Sequence, residues 1–181
     1  MNSAISSAND PSGTVYYPGN LRNNFVFNDL THQGSITAIR VEGTKVSTEQ
    51  RINNFFEDLA LSDQKTTILD KTQSEIFWED TRSLKVFSRN EKSILRVVVP
   101  SSETVNLMNR LKTFHPSYFL DWGGSLIWLE LDYISNQKVE QIRSRVMEAG
   151  GYLTVIKSSG KAKSSYEIFT IDPIKFKISQ N

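Results

Sequence analysis

The sequence contains no cysteine. That removes disulfides, thiolate nucleophiles and cysteine-ligated metals and suits a reducing compartment. An excess of one charge is also missing. Against 20 Asp and Glu stand 21 Lys and Arg, a formal net charge of +1. Electrostatics therefore favours neither nucleic acid, nor an anionic membrane, nor an acidic partner. No apolar run approaches the roughly 18 residues of a membrane span. The opening Met1-Asn2-Ser3-Ala4-Ile5-Ser6-Ser7 has neither the basic start nor the apolar middle of a signal peptide, so cytoplasmic placement is the expectation. The two histidines, His32 and His115, lie in separate loop-like stretches with no ligand spacing between them. His115 precedes a proline among aromatics and reads as a packing or loop residue. There is no Gly-x-Ser-x-Gly elbow, no Gly-x-x-x-x-Gly-Lys-Ser/Thr loop and no Gly-x-Gly-x-x-Gly. The Gly pairs at 123–124 and 150–151 read as a hairpin bend and a helix stop, since neither opens a helix after a strand.

What is present is the patterning of a folded domain. With 181 residues, 38% apolar and 23% charged, the chain is long enough for a substantial core and ordinary in composition. Residues 1–14 are small and polar, broken by Asp10-Pro11-Ser12-Gly13, and read as a flexible N-terminal segment. Residues 15–181 read as one α+β domain whose best-defined core is 94–156. Strands are expected at 15–17 and 36–41, with Phe25, Val26, Phe27 and Leu30 as packing points between them. Ser47 with Gln50 and Thr72 with Glu75 have capping-box spacing. They predict two helices, the first with Ile52, Phe55, Phe56 and Leu59 on one face. A short strand is expected at 66–69. The run Ile94-Leu95-Arg96-Val97-Val98-Val99 reads as a strand stopped by Pro100. Ser102 is placed to cap a helix carrying Val105, Met108 and Leu111. Residues 118–122 and 126–131 read as paired strands bent at Gly123-Gly124. Ser135 caps a helix with Val139, Ile142 and Val146, stopped by Gly150-Gly151. Strand 152–156 returns. A flexible loop over 158–165 and strands at 166–171 and 174–178 complete the reading. The core order strand, helix, strand, strand, helix, strand predicts a ferredoxin-like antiparallel sheet with helices packed on one face.

Few residues carry candidate chemistry, and none is identified as catalytic or metal-ligating. Arg96 is a charge inside an apolar strand. It belongs either to a solvated face or beside a site, where it could grip a carboxylate with two parallel hydrogen bonds. Trp122 beside Asp121 at the bend is either structural or a ligand or partner contact. Trp78 reads as core on an apolar helix, and Trp128 as an aromatic packed on a sheet face. The carboxylates Asp70, Glu75, Glu79 and Asp80 read as a solvated helix face.

Taken in order, these stretches resemble the C-terminal part of the glycolate oxidase FAD-binding E subunit, of the vanillyl-alcohol-oxidase-type flavoproteins. Ser12-Gly13 with Tyr17-Pro18 resembles the family's Ser-Gly-Ala-Ala-His-Leu-Pro segment, and Ile39-Arg40-Val41-Glu42-Gly43 its Leu-Arg-Leu-Glu-Gly strand. Phe77-Trp78 resembles the aromatic pair on the following helix. Leu95-Arg96-Val97-Val98-Val99-Pro100 is similar to its Trp-Arg-Leu-Ser-Val-Pro strand. Asp121-Trp122-Gly123-Gly124 with Trp128-Leu129 is similar to its Asp-Trp-Gly-Gly and Trp-Leu blocks, the most specific of the set. Ala149-Gly150-Gly151-Tyr152-Leu153-Thr154 resembles its Gly-Gly-His-Ala-Thr segment.

The resemblance implies the cap domain of an FAD-linked oxidase. Its complex would oxidise glycolate to glyoxylate, the flavin supplying the chemistry, with flavin-bearing and iron–sulfur subunits as partners. It also implies that the FAD-binding domain is absent, that no FAD is expected to bind this chain alone, and that Arg96, Trp122 and Asp121 contact substrate or partner. The family's closing Phe-Asp-Pro-x-Gly-Ile-Leu-Asn-Pro-Gly segment is reduced to Ile171-Asp172-Pro173. Related D-2-hydroxy-acid dehydrogenases carry a Lys and metal- and substrate-binding histidines where this chain has Ile94, Trp122 and Trp128, which implies a supporting role. The alternatives are a non-enzymatic interaction module, recruiting a partner through its sheet edge, or a truncated remnant without activity.

Overall fold

The structure, a computed structural model, describes residues 1–19, 21, 34–61, 66–87, 92–159 and 167–170. The strands are β1 (Gly13–Tyr17), β2 (Ile36–Arg40), β3 (Ser93–Val98), β4 (Ser117–Asp121), β5 (Leu126–Leu131) and β6 (Tyr152–Lys157). The helices are α1 (Asn2–Ile5), α2 (Lys45–Asp58), α3 (Lys71–Arg82), α4 (Thr104–Leu111) and α5 (Asn136–Glu148). All six strands join one antiparallel sheet in the order β2-β1-β4-β5-β3-β6. Within it, β3-α4-β4-β5-α5-β6 has the spatial order β4-β5-β3-β6, the ferredoxin-like arrangement that the sequence pattern predicts. β1 and β2 widen the sheet beyond β4.

Alternation along β3 divides the sheet into two faces. Leu95 and Val97 are fully buried, and their partners Leu129 and Ile127 on β5 and Val155 and Leu153 on β6 share their face. The α4 residues Leu107, Met108 and Leu111 and the α5 residues Val139, Ile142 and Val146 close over them as one core cluster. The opposite face holds a second cluster. There Phe77 of α3, with Val86 and Phe87, packs on Val15, Tyr17 and Phe119. Tyr17 and Phe77 meet edge to face at 6.1 Å, and the buried Tyr17 hydroxyl donates to Thr81 Oγ1 at 2.8 Å. Burial raises the Tyr17 phenol far above its ordinary pKa. This second helix layer lies towards β1 and β4, and it leaves the β3–β6 half of that face more open.

Several local expectations shift. α2 is capped by Thr44, whose side chain accepts from Ser47 N, so the helix begins ahead of the expected Ser47 cap. α3 has a reciprocal capping box of Asp70 and Gln73 in place of Thr72 and Glu75. α4 starts after Glu103 without a side-chain cap bond, so Ser102 does not cap it. Val105 is 69% exposed and Leu107 is buried where the stripe placed Val105. Residues 66–69 form no strand. The N-terminal stretch contains α1, and buried Asn9 ties it to α2 through hydrogen bonds with Asp58 and Asn54. Ser135 caps α5 as expected. Of the expected C-terminal strands, Phe169 forms a single antiparallel bridge to Thr154. The packing points at 25, 26, 27 and 30, His32, most of the 158–165 loop and the 174–178 stretch lie outside the described residues.

Candidate functional site

The turn after β4 is built against conformational preference. Trp122 has φ +48°, followed by Gly123 at +66° and Gly124 at +94°. A bulky residue in the left-handed region costs about 1–2 kcal/mol, so the surroundings must impose it. They do so through side chains of the turn itself and of β1 and α4. Asp121 Oδ1 accepts from Trp122 N at 2.7 Å, and Gly123 N donates to Thr14 Oγ1 of β1 at 3.0 Å. Ser125 Oγ donates to the Trp122 carbonyl at 2.8 Å, and Thr104 Oγ1 at the start of α4 donates to the Gly124 carbonyl. The result is a fixed turn that presents a 57% exposed indole.

Arg96 comes to that indole from the open face of the sheet. It alternates with Leu95 and Val97, so its side chain leaves the covered core for the other face. Its guanidinium carbon lies 5.3 Å from the Trp122 ring centroid, a cation–π contact. Trp128 and Thr154, the residues paired with Arg96 across β5 and β6, flank it on the same face. Among the described residues, none places a carboxylate within salt-bridge distance of Arg96. Asp121 lies near enough to feel its charge. Burial pushes the Asp121 carboxyl above its ordinary pKa, while the Trp122 N–H and the Arg96 charge pull it back. Arg96, Trp122 and Asp121, distant from one another in part along the chain, thus form one cluster: a half-buried cation on an aromatic platform beside a partly desolvated acid. The chemistry open to it is recognition of an anion by a pre-oriented guanidinium.

The other sequence candidates are accounted for structurally. Trp78 meets Phe77 edge to face at 5.4 Å, and the Arg40 guanidinium sits 5.9 Å from its ring. Trp128 stacks with Phe119 at 6.3 Å. Asp70 caps α3, Glu79 pairs with Arg82, and Asp80 pairs with Lys85. His115 occupies a left-handed turn, φ +52°, ahead of β4. Among the described residues no group of three or more potential ligands could hold a metal ion. Thr14, Thr104, Ser125 and Thr154 escape sequence reasoning, because only sheet register and helix docking bring them to the turn and to Arg96.

Neither Gly123 nor Gly151 leaves open space beside its backbone for a phosphate. A Cβ on Gly123 would meet the Ile5 side chain at 3.1 Å, so α1 already fills the space over the turn. A Cβ on Gly151 would stand 2.5 Å from the Val98 carbonyl, so that glycine serves close packing of β6 on β3. No helix among the described residues is long and apolar enough to cross a membrane. Comparison with protein-family models and with curated proteins returned no match.

Proposed function

We propose that the chain is the substrate-side cap of a glycolate-oxidising flavoprotein assembly and works docked to a flavin-bearing subunit with iron–sulfur partners in the cytoplasm. The observation that carries this reading is the Arg96–Trp122 stack on the open face of a ferredoxin-like sheet. A cation with no carboxylate in salt-bridge distance among the described residues, held by an indole, suits the carboxylate of a small 2-hydroxy acid. Its position on the uncovered face suits delivery of that acid to a cofactor bound elsewhere. Asp121, next to the platform, would contact substrate or partner. FAD belongs to the partner in this reading.

The test has two arms. The purified chain, incubated with FAD and desalted, is expected to be colourless in the visible. A tagged chain recovered from its own cells is expected to bring flavin absorbance and glycolate-dependent dye reduction with it. Flavin retained by the chain alone, or a recovered complex without flavin, contradicts the proposal. A non-enzymatic docking role is the second reading, favoured by exposed Tyr152 and Ile156 on β6, 48% and 50% accessible. Stable self-association without any flavoprotein would select it.

A further inference from the structure

The face of the sheet that carries α4 and α5 has a groove of about 900 Å³ beside α4, within the size range of small-molecule sites. Its floor is Tyr118 and Leu120 of β4 with Tyr16 of β1. Tyr16 and Leu120 are direct partners across the strands, so both present to the same face. Val105 and Met108 of α4 form the wall. Val105 is an aliphatic side chain left 69% exposed beside buried Thr104 on α4. Burial, helped by the neighbouring Tyr16 phenol, raises the Tyr118 pKa.

The two ends of the groove differ. The chain runs from α4 through the turn at His115–Pro116 into β4 and then into Gly123–Gly124, so these two turns bound the groove along β4. At the first end stand Lys112 and His115. At the other, Met1 with the chain's α-amino group stands beside Asn2 and Ser3 of α1, near the Gly pair. No aspartate or glutamate lines the groove. An apolar, aromatic slot that carries two basic side chains at one end and no carboxylate in its lining has an anionic complement.

We propose that this groove binds a small, flat, apolar molecule bearing one anionic group, an aromatic carboxylate. The ring lies over Tyr118 and Leu120 against Val105 and Met108, and the carboxylate points to Lys112 and His115. The groove lies on the opposite sheet face from Arg96 and shares with the cap site only the Gly123–Gly124 turn.

The experiment is a 1H–15N NMR titration of the full chain with 2-naphthoate, with neutral 2-naphthylmethanol as comparison. The expected result is saturable shifts at Met108, Tyr118, Leu120 and Gly123 with a Kd below about 1 mM. The neutral analogue should bind weaker by roughly threefold or more, the range that an exposed ion pair supplies. Lys112→Glu should weaken naphthoate by a similar factor, and Val105→Trp, at an already exposed site, should block the slot. Both variants are checked for a native-like amide spectrum. Absence of saturation below about 1 mM, equal binding of the neutral analogue, unchanged affinity of both variants, or shifts confined to the Arg96 face would each overturn the proposal.

Discussion

The two faces of β3 are built from consecutive residues yet serve different ends. Leu95 and Val97 point into a core closed by two helices and lose all contact with solvent. Ile94, Arg96 and Val98 point the other way and stay partly exposed. The first face behaves as a protein interior should, with aliphatic side chains interlocked and no charge. The second holds a guanidinium, two indoles and a threonine, of which Trp128 packs on the second core cluster while Arg96 and Trp122 stay partly exposed. Stability alone would place an apolar residue at position 96 and a glycine at 122. The difference separates residues that make the fold from residues that the fold holds in place.

Mutations should break this contrast in graded fashion. Leu95→Ala on the covered face is expected to lose about 2–5 kcal/mol in urea denaturation, by loss of burial plus a residual cavity. Gly123→Ala forces a side chain into the left-handed region and against Ile5, and should cost about 1–2 kcal/mol by the same measurement. Arg96→Ala should stay within about 1 kcal/mol, the worth of a cation–π contact near the surface. Trp122→Gly pits relief of backbone strain against loss of that contact and should be close to neutral in stability. A loss as large as that of Leu95→Ala from either open-face substitution would erase the distinction.

The smallest effect concerns acid. The Asp121 carboxyl is pushed above its unfolded value by burial, so the folded chain binds more protons than the unfolded chain between the two values. Stability at this site therefore falls as pH rises from the ordinary aspartate value of about 3.9 through the raised one. Asp121→Asn keeps an acceptor for the Trp122 N–H and removes the titration. The melting temperature of this variant, relative to the unmodified chain, should rise between pH 4 and pH 7. A flat difference would show that Asp121 does not titrate abnormally.

Much of the fold was readable because it rests on local periodicity. The alternation of Leu95, Arg96 and Val97 marks a strand with unlike faces, and Val139, Ile142 and Val146 mark a helical stripe. The strand–helix order then admits few topologies. Helix starts were harder, because competing caps lie a few residues apart. Thr44 and Asp70 win over Ser47 and Thr72 because the chain is still extended there, with ψ 156° and 176°. Val105 sits on the stripe of a regular helix, but its side of α4 looks over the groove instead of the core. In the site, Asp121 and Trp122 were visible as neighbours and Arg96 as an anomaly. Their meeting was not visible, because it depends on the β3–β5–β4 register and on Thr14 and Thr104 holding the turn left-handed.

The most direct test of the central claim is glycolate-dependent turnover of the proposed flavoprotein complex carrying Arg96→Ala and Trp122→Gly, measured beside the urea midpoint of the same chain. The account predicts a midpoint close to that of the unmodified chain and a loss of turnover of about tenfold or more, the scale of a charge-assisted contact to a carboxylate. Undiminished turnover with both side chains gone would contradict it.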